Sequence, residues 1–524
     1  MNMLWPTLAL LLAAFTGRLN PPKDALNIIH PSEIRRHVDF LASDSLKGRN
    51  TPSPELKMAA QYIAREFESY GLEPPHGSYF QPFKVSRIYL GKPNHLSLIE
   101  NGTEQTFKIK RDYMPYDITG SKTVEAGIVF AGYGITAPEY GYNDYQGVDV
   151  AGKVVLIFRH EPGEKQDTSR FAGRDLTIYG QIRWKVEHAI EKGAVGVMLV
   201  TDPLNHRSIR PRGYPWPSLY RKIPDEAVPL TLALQEKQKV PVVHVGKRII
   251  KKLFGSVDSL KALQERIDRT LTPKSFEIPN IRIRLQTTTR VETAVTQNVV
   301  GYLEGRDHRL KNEVIVLGAH YDHVGYKRHA APGEDGIYNG ADDNASGTSL
   351  LLTLARAFGH MPQRPKRSLL FIAFAGEEKG LFGSRVYVKK PLFPLEQTVA
   401  MVNFDMVGRN APDSIMVSSR KRSPDLMRIN EEENRYIGLK FDYSLDKFYT
   451  RSDQFNFAVR GVPFLFYSSG LHEDYHRVSD HAYKINEYKI AMLAKLAFRV
   501  VWRIANTDQR FRLVDPAAFS RSSP

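Results

Sequence analysis

Histidine and carboxylate residues recur in this chain at the ends of short apolar runs. Glu313-Val-Ile-Val-Leu317 leads into Gly318-Ala-His-Tyr-Asp-His323, and Gly340-Ala-Asp-Asp-Asn-Ala-Ser-Gly347 follows. Residues 368–375 end in Glu377 and Glu378, and residues 398–404 end in Asp405. Residues 462–467 run through Ser468-Ser-Gly470 to His472-Glu-Asp-Tyr-His476 and Asp480. Each piece alone is ordinary, because a Glu-Glu pair is usually solvated and a strand-end Asp usually caps a turn or helix. Together they are not, since metal ligands must converge from distinct strands and five separated segments each offer one. The set reads as a metal site. With no cysteine in 524 residues, thiolate ligation and disulfides are excluded, and the donors must be His and carboxylate.

The elements that must position these residues follow from the same pattern. The apolar runs read as buried parallel strands, and open α/β sheets bind ligands at the carboxyl ends of their strands. Residues 349–358 read as a helix, which sets Asp342, Asp343 and Asn344 near its start. Residues 31–42 and 53–70 have amphipathic helical spacing around a loop at 45–49, the second with Ser53 as N-cap, Pro54 in the first turn and Gly71 at its stop. Apolar residues of 487–502 cover too wide an arc for a surface stripe, which predicts a helix packed on the sheet. Residues 78–113 alternate as strands do, and the strands at 280–285 and 298–302 are expected to return the chain to the same sheet.

The whole set resembles the dinuclear-zinc exopeptidase family that includes secreted bacterial leucine aminopeptidases and glutamate carboxypeptidase II. Its pattern is His-x-Asp, Gly-x-x-Asp-x-x-Ser-Gly, Glu-Glu, Asp and Tyr-His. The resemblance covers roughly residues 31–115 and 280–505. It implies an α/β fold, a mostly parallel mixed sheet with helices on both faces, and two Zn²⁺ per chain. Carried over, it makes His320 and Asp405 ligands of one zinc, Glu378 and His476 ligands of the other, and Asp343 the bridge. Glu377 becomes the general base, adjacent to a ligand yet free to move a proton, and Tyr475 a donor to the oxyanion. Asp322 and Asp480 are expected behind His320 and His476, fixing their tautomers. Two zincs in such a site lie ~3.5–4 Å apart and polarise the scissile carbonyl.

Between about 119 and 275 the texture changes to Val-Gly-Ala-rich strands and a helix. Gly132-Tyr-Gly134, Gly152-Lys-Val154 and Pro241-Val-Val-His-Val245 resemble the protease-associated domain often inserted in this family. No Gly-x-Gly-x-x-Gly fingerprint or Walker loop occurs, so these glycines serve turns. The expected organisation is a signal peptide at 1–20, a first catalytic part at 31–118, the insert at 119–275, the main catalytic part at 276–508 and a tail at 509–524. The apolar stretch 4–15 is too short to span a bilayer and suits a signal-peptide core, so the protein is expected to be exported, with no stable membrane insertion. Net charge is +16, but the basic residues are scattered, with short clusters at 364–367 and 420–422, and read as solvated surface rather than a nucleic-acid face.

The expected function is therefore a zinc-dependent exopeptidase, an aminopeptidase acting on peptides. Two competitors share the scaffold. One is a single-zinc aminoacyl transferase of the glutaminyl cyclase branch, and the other is a non-catalytic receptor like the transferrin receptor. The complete ligand set argues against both. His472-Glu-x-x-His476 also matches the helical zinc-protease motif. It follows a strand, lacks apolar periodicity, and has Ser479 and Ala482 where the elongated motif needs Gly and His. A loop is expected there.

Overall fold

The computed structural model describes residues 20–514 except 167–168, 172, 174–176, 215, 221–228, 234–239 and 328. The expected signal peptide and most of the expected tail fall outside the described residues. The described chain divides into two compact units, one running up to Val85 and resuming at Ala294, the other made of Ser86–Thr293.

The first unit holds a mixed sheet whose four middle strands, in spatial order, are Ser368–Phe374, Val314–His320, Thr398–Phe404 and Phe464–Ser468. All three pairings among them are parallel. Every residue of these strands is buried, which is why they read as continuous apolar runs. Antiparallel strands flank them, with Val299–Leu303 on Ser368–Phe374 and Ser414–Ser418 on Phe464–Ser468. The helix Gly347–Gly359 packs on three of the parallel strands. Its Leu350, Leu351, Leu352 and Leu354 are fully buried, each burial being worth about 1.5–3 kcal/mol. The helix Glu487–Asn506 packs on it and on the helix Pro31–Leu41, and Phe498 stacks on Phe358 with ring centroids 4.2 Å apart. The α/β fold with a mostly parallel mixed sheet is thus as the sequence led us to expect. Ser53 caps the helix Pro54–Ser69 by accepting the Leu56 N–H at 3.0 Å.

The second unit is larger than the expected insert. It begins at Ser86 and ends at Thr293, so residues 86–118 and 276–293, expected on the catalytic side, lie in it. Its eight-stranded sheet runs Thr103–Thr106, His95–Glu100, Ser275–Thr287, Lys122–Ala131, Val154–Phe158, Gly196–Val200, Val242–Val245, Tyr113–Pro115. The strand through 280–285 therefore does not return to the first sheet. Ile283 and Leu285 face Leu98 and Leu96 on one side and Ala126 and Val124 on the other, and both are fully buried in that core. Alternation identified the strand; the choice of sheet rested on long-range pairing. Gly132, at φ +49°, belongs to a turn held by Asp144, whose carboxylate accepts the N–H groups of Tyr133 and Ile135 at 3.0 and 3.1 Å. No helix among the described residues is long and apolar enough to cross a membrane.

Candidate metal centre and catalytic site

The carboxyl ends of the parallel strands bring the expected residues together. His320 closes its strand, Asp405 follows Phe404, Glu377 and Glu378 follow Phe374 by a short turn, and His476 follows Ser468 by eight residues. Asp343 lies in the loop 341–346, all of whose residues are buried. Oδ1 of Asp343 is 3.2 Å from Nε2 of His320, and its Oδ2 is 3.1 Å from Nε2 of His476. His320 Nε2 is also 3.2 Å from Asp405 Oδ1, and His476 Nε2 is 3.1 Å from Glu378 Oε2. One carboxylate therefore joins two groups of donors, with Glu377 beside His320 and Asp405.

The loop that carries Asp343 is held from three directions. Asp480 accepts the backbone N–H of Asp342 and of Asp343, the latter at 3.2 Å. Asn344 donates to the Phe404 carbonyl at 2.9 Å and accepts the N–H of Gly347 and Met406. Fully buried Arg49 donates to the carbonyls of Asn339 and Gly340, at 2.6 and 3.0 Å, and to that of Tyr321. Gly340 sits at φ +58°, where an added Cβ would lie 2.5 Å from the His323 ring, so only glycine fits. The glycines and small residues of the motif are what let a buried loop reach the strand ends.

Asp322 lies behind His320. Its backbone carbonyl accepts Nδ1–H of His320 at 3.2 Å, which turns Nε2 toward Asp343 and Asp405. Its carboxylate takes the N–H of Glu377 at 3.1 Å and the hydroxyl of Thr51 at 3.0 Å. Asp480 is different. It was expected against His476, but its carboxylate is directed to the backbone of the 341–343 loop, because the turn at 473–479 carries it there. Tyr475 stacks on the His476 ring at 4.0 Å and lines a cavity of about 120 Å³ with Glu377, Asp343 and Asp405. Residues 473–476 of the pentad form a turn, and none of the five is helical. Its two imidazoles part company, His472 facing Asp342 at 3.2 Å and His476 facing Asp343 and Glu378.

Sequence reasoning missed His323. It is fully buried, and its Nδ1 lies 2.8 Å from Glu378 Oε1, which puts it in one donor group with Asp343, Glu378 and His476. Its signal was present in His-x-Asp-His but carried no strand-end position. Arg49 was missed too, since nothing local marks a loop arginine as a buried clamp.

The electrostatics suit a cation. Four carboxylates, Asp343, Glu377, Glu378 and Asp405, meet three imidazoles, of which His320 and His323 are buried. Burial pushes Glu377 well above the usual carboxylate range, opposed by His320 and reinforced by Asp405 and Glu378. Burial works against protonation of His476, yet Asp343 and Glu378 lift it to about 10. Nε2 of His323 is buried without a hydrogen-bond partner, and Nδ1 of His323 and Nε2 of His476 meet carboxylate oxygens in poor hydrogen-bonding alignment. Orphaned donors and acceptors of this kind are costly unless an ion satisfies them. The donor set of imidazole and carboxylate fits zinc.

Residues 298–501, which carry the donor residues of the site, match the model of peptidase family M28. The chain is similar to aminopeptidase YwaD of Bacillus subtilis, 28% identical over 282 residues covering 52% of this chain and 45% of that protein. It is also similar to a glutamate carboxypeptidase 2 homolog of Caenorhabditis elegans, 24% identical over 456 residues covering 74% of this chain and 54% of the relative. It thus spans about half the length of these curated relatives. Among solved structures, an aminopeptidase from Aneurinibacillus sp. strain AM-1 aligns with a TM-score of 0.48 at 21% identity, covering 93% of this chain and 96% of that one.

Proposed function

We propose that the chain is a dinuclear zinc aminopeptidase that removes the first residue of peptides. The observation that carries this reading is the Asp343 carboxylate divided between the His320–Asp405 group and the His476–Glu378–His323 group. His320, Asp405 and one oxygen of Asp343 would hold one zinc, and Glu378, His476 and the other oxygen would hold the second, with His323 against Glu378. Zinc bound there supplies Lewis acidity toward the scissile carbonyl and toward water.

The chain's own residues do the rest. Glu377, fixed through its backbone by Asp322, takes a proton from the attacking water and delivers it to the leaving amine. Tyr475, on the wall of the same cavity, donates to the oxyanion that develops on the carbonyl. Met416, Leu445, Phe448, Phe466 and Leu471 form the apolar part of that wall, which favours an apolar side chain on the residue being released. The name of the Bacillus subtilis relative supports amino-terminal polarity. Export is part of the same reading, carried by the apolar stretch 4–15, and the second unit is read as a protease-associated domain from its Gly132-Tyr-Gly134 turn and parallel strands.

The test is metal analysis of the purified protein beside hydrolysis of peptides with free and blocked termini. Two zincs per chain and cleavage that requires a free amine are expected. A fully active protein with one metal would favour the cyclase branch, and cleavage that requires a free carboxylate would reverse the polarity.

A further inference from the structure

A second constellation of metal-ligand residues lies in the 86–293 unit, built from the ends of two neighbouring strands. Val154–Phe158 and Gly196–Val200 pair in parallel, with Phe158 opposite Val200. Two residues beyond these ends stand His160 and Asp202, and four residues further on in each segment stand Glu164 and His206. A spacing of four after a strand end lets each loop turn back and present two side chains to the same point.

The distances are those of a shared centre. His160 Nδ1 lies 2.7 Å from Asp202 Oδ1 and 3.1 Å from Glu164 Oε2. His206 Nε2 lies 3.2 Å from Glu164 Oε2 and 3.6 Å from Asp202 Oδ2. The two imidazoles lie 4.8 Å apart, tilted by 35°. Zinc bonds of ~2.0–2.2 Å in a tetrahedron set neighbouring donors roughly 3.3–3.6 Å apart, so the four groups need to move only slightly to close on an ion.

Ordinary ion pairing does not account for all of this. The Asp202 side chain is completely buried, and its Oδ2 has no hydrogen-bond partner. A buried carboxylate oxygen left unpaired costs free energy that a cation in the same spot would recover. His160 also adopts φ +51°, an uncommon conformation for a residue with a side chain, and one that turns its ring back toward Asp202. Two carboxylates balance the charge of one divalent ion.

We infer that His160, Glu164, Asp202 and His206 bind a zinc-class divalent ion, separate from the catalytic centre. Two imidazole nitrogens select against calcium and magnesium, which prefer all-oxygen shells. Four protein donors leave no open position, the hallmark of a structural rather than a catalytic ion. Such an ion would tie the 160–164 and 202–206 loops together and add its binding free energy to the stability of the unit.

The test loads zinc into the full chain and into an Asp202→Asn/His206→Gln variant, removes loose metal by desalting, and measures bound zinc per chain by mass spectrometry. The variant is expected to hold one zinc fewer while its peptidase kcat/KM stays within about twofold. A parallel His320→Ala/His476→Ala chain, deprived of catalytic ligands, is expected to keep one zinc and, with cobalt in its place, to show the visible absorption of a tetrahedral ion. This second arm also decides the matter if the first variant does not fold, and the first decides it if the second does not. Equal zinc in wild type and a folded Asp202→Asn/His206→Gln variant would overturn the inference, as would no zinc on a folded chain lacking the catalytic ligands. Neither result depends on what reaction the catalytic centre performs.

Discussion

The carboxylate of Asp322 accepts the backbone N–H of Glu377 at 3.1 Å. The same residue offers its carbonyl to Nδ1–H of His320, so one side chain and one peptide group orient both Glu377 and His320. Asp322→Asn should keep the carbonyl contact but weaken the hold on Glu377, since the amide oxygen carries no full charge. Outer partners of this kind are worth about 10–100-fold. We expect kcat to fall by that factor with bound zinc unchanged. An unaltered kcat would mean that the Glu377 backbone is held by the turn alone.

Glu377→Gln removes the proposed proton acceptor and preserves shape. Because Glu378 and not Glu377 faces His323 and His476, metal content should be retained and turnover should drop ~10²–10⁴-fold. If instead the variant loses zinc and Glu378→Gln does not, the two glutamates exchange roles.

The strand ends were legible because strands buried on both faces admit little but apolar residues, so the first polar residue after each run marks where the sheet stops. His320, Glu377 and Asp405 are of this kind. Asp343 was legible for another reason: a loop of small residues ahead of a helix start has few uses except close approach. What was not legible depends on contacts distant in sequence. His323 lies past its strand, and its direction is set by the loop at 48–50, where the Arg49 carbonyl accepts the His323 N–H and the Gly48 carbonyl accepts the Gly325 N–H. Asp480 stands four residues from His476 in the chain, but its partners are the amides of residues 342 and 343. The unit boundary at Ser86 falls inside the strand Phe80–Leu90, where no change of composition marks it.

A pH dependence of stability follows from His37. It is completely buried in the helix Pro31–Leu41, with Nδ1 2.7 Å from the Tyr62 hydroxyl and Nε2 3.2 Å from that of Tyr70. Burial lowers its pKa to about 3, with Arg36 and Arg356 adding to the shift and Glu66 opposing it. The unfolded chain binds a proton near pH 6.5 and the folded chain does not until about pH 3. The stabilisation is therefore fully present above 6.5 and is lost as pH falls through the window between, at up to about 1.4 kcal/mol per pH unit. Urea midpoints at pH 7 and pH 5, with chelator present so that metal release does not contribute, should fall more for wild type than for His37→Gln. Parallel midpoints in the two proteins would show that His37 is protonated in the folded state or reaches solvent.

His323 allows a sharper test of how the second donor group is composed. Its ring is fully buried, 5.5 Å from that of His476 in an edge-to-face arrangement, and its Nδ1 points at Glu378. One explanation is packing, since the ring fills the space beside Gly340. The other is that it shares in holding the ion with Glu378, His476 and Asp343. Packing is served equally by Phe, whereas ion binding needs a nitrogen. His323→Phe should therefore keep the fold while lowering zinc affinity at the second donor group, by about 10–100-fold if the nitrogen acts from behind Glu378 and by more if it touches the ion. Activity in the presence of excess zinc should recover toward the wild-type value, because Glu377, His320 and Asp405 are untouched. Zinc titration of the chelator-treated protein, followed by activity, measures both quantities at once. Wild-type zinc affinity in His323→Phe would reduce this histidine to a spacer and leave the second group with Asp343, Glu378 and His476 alone.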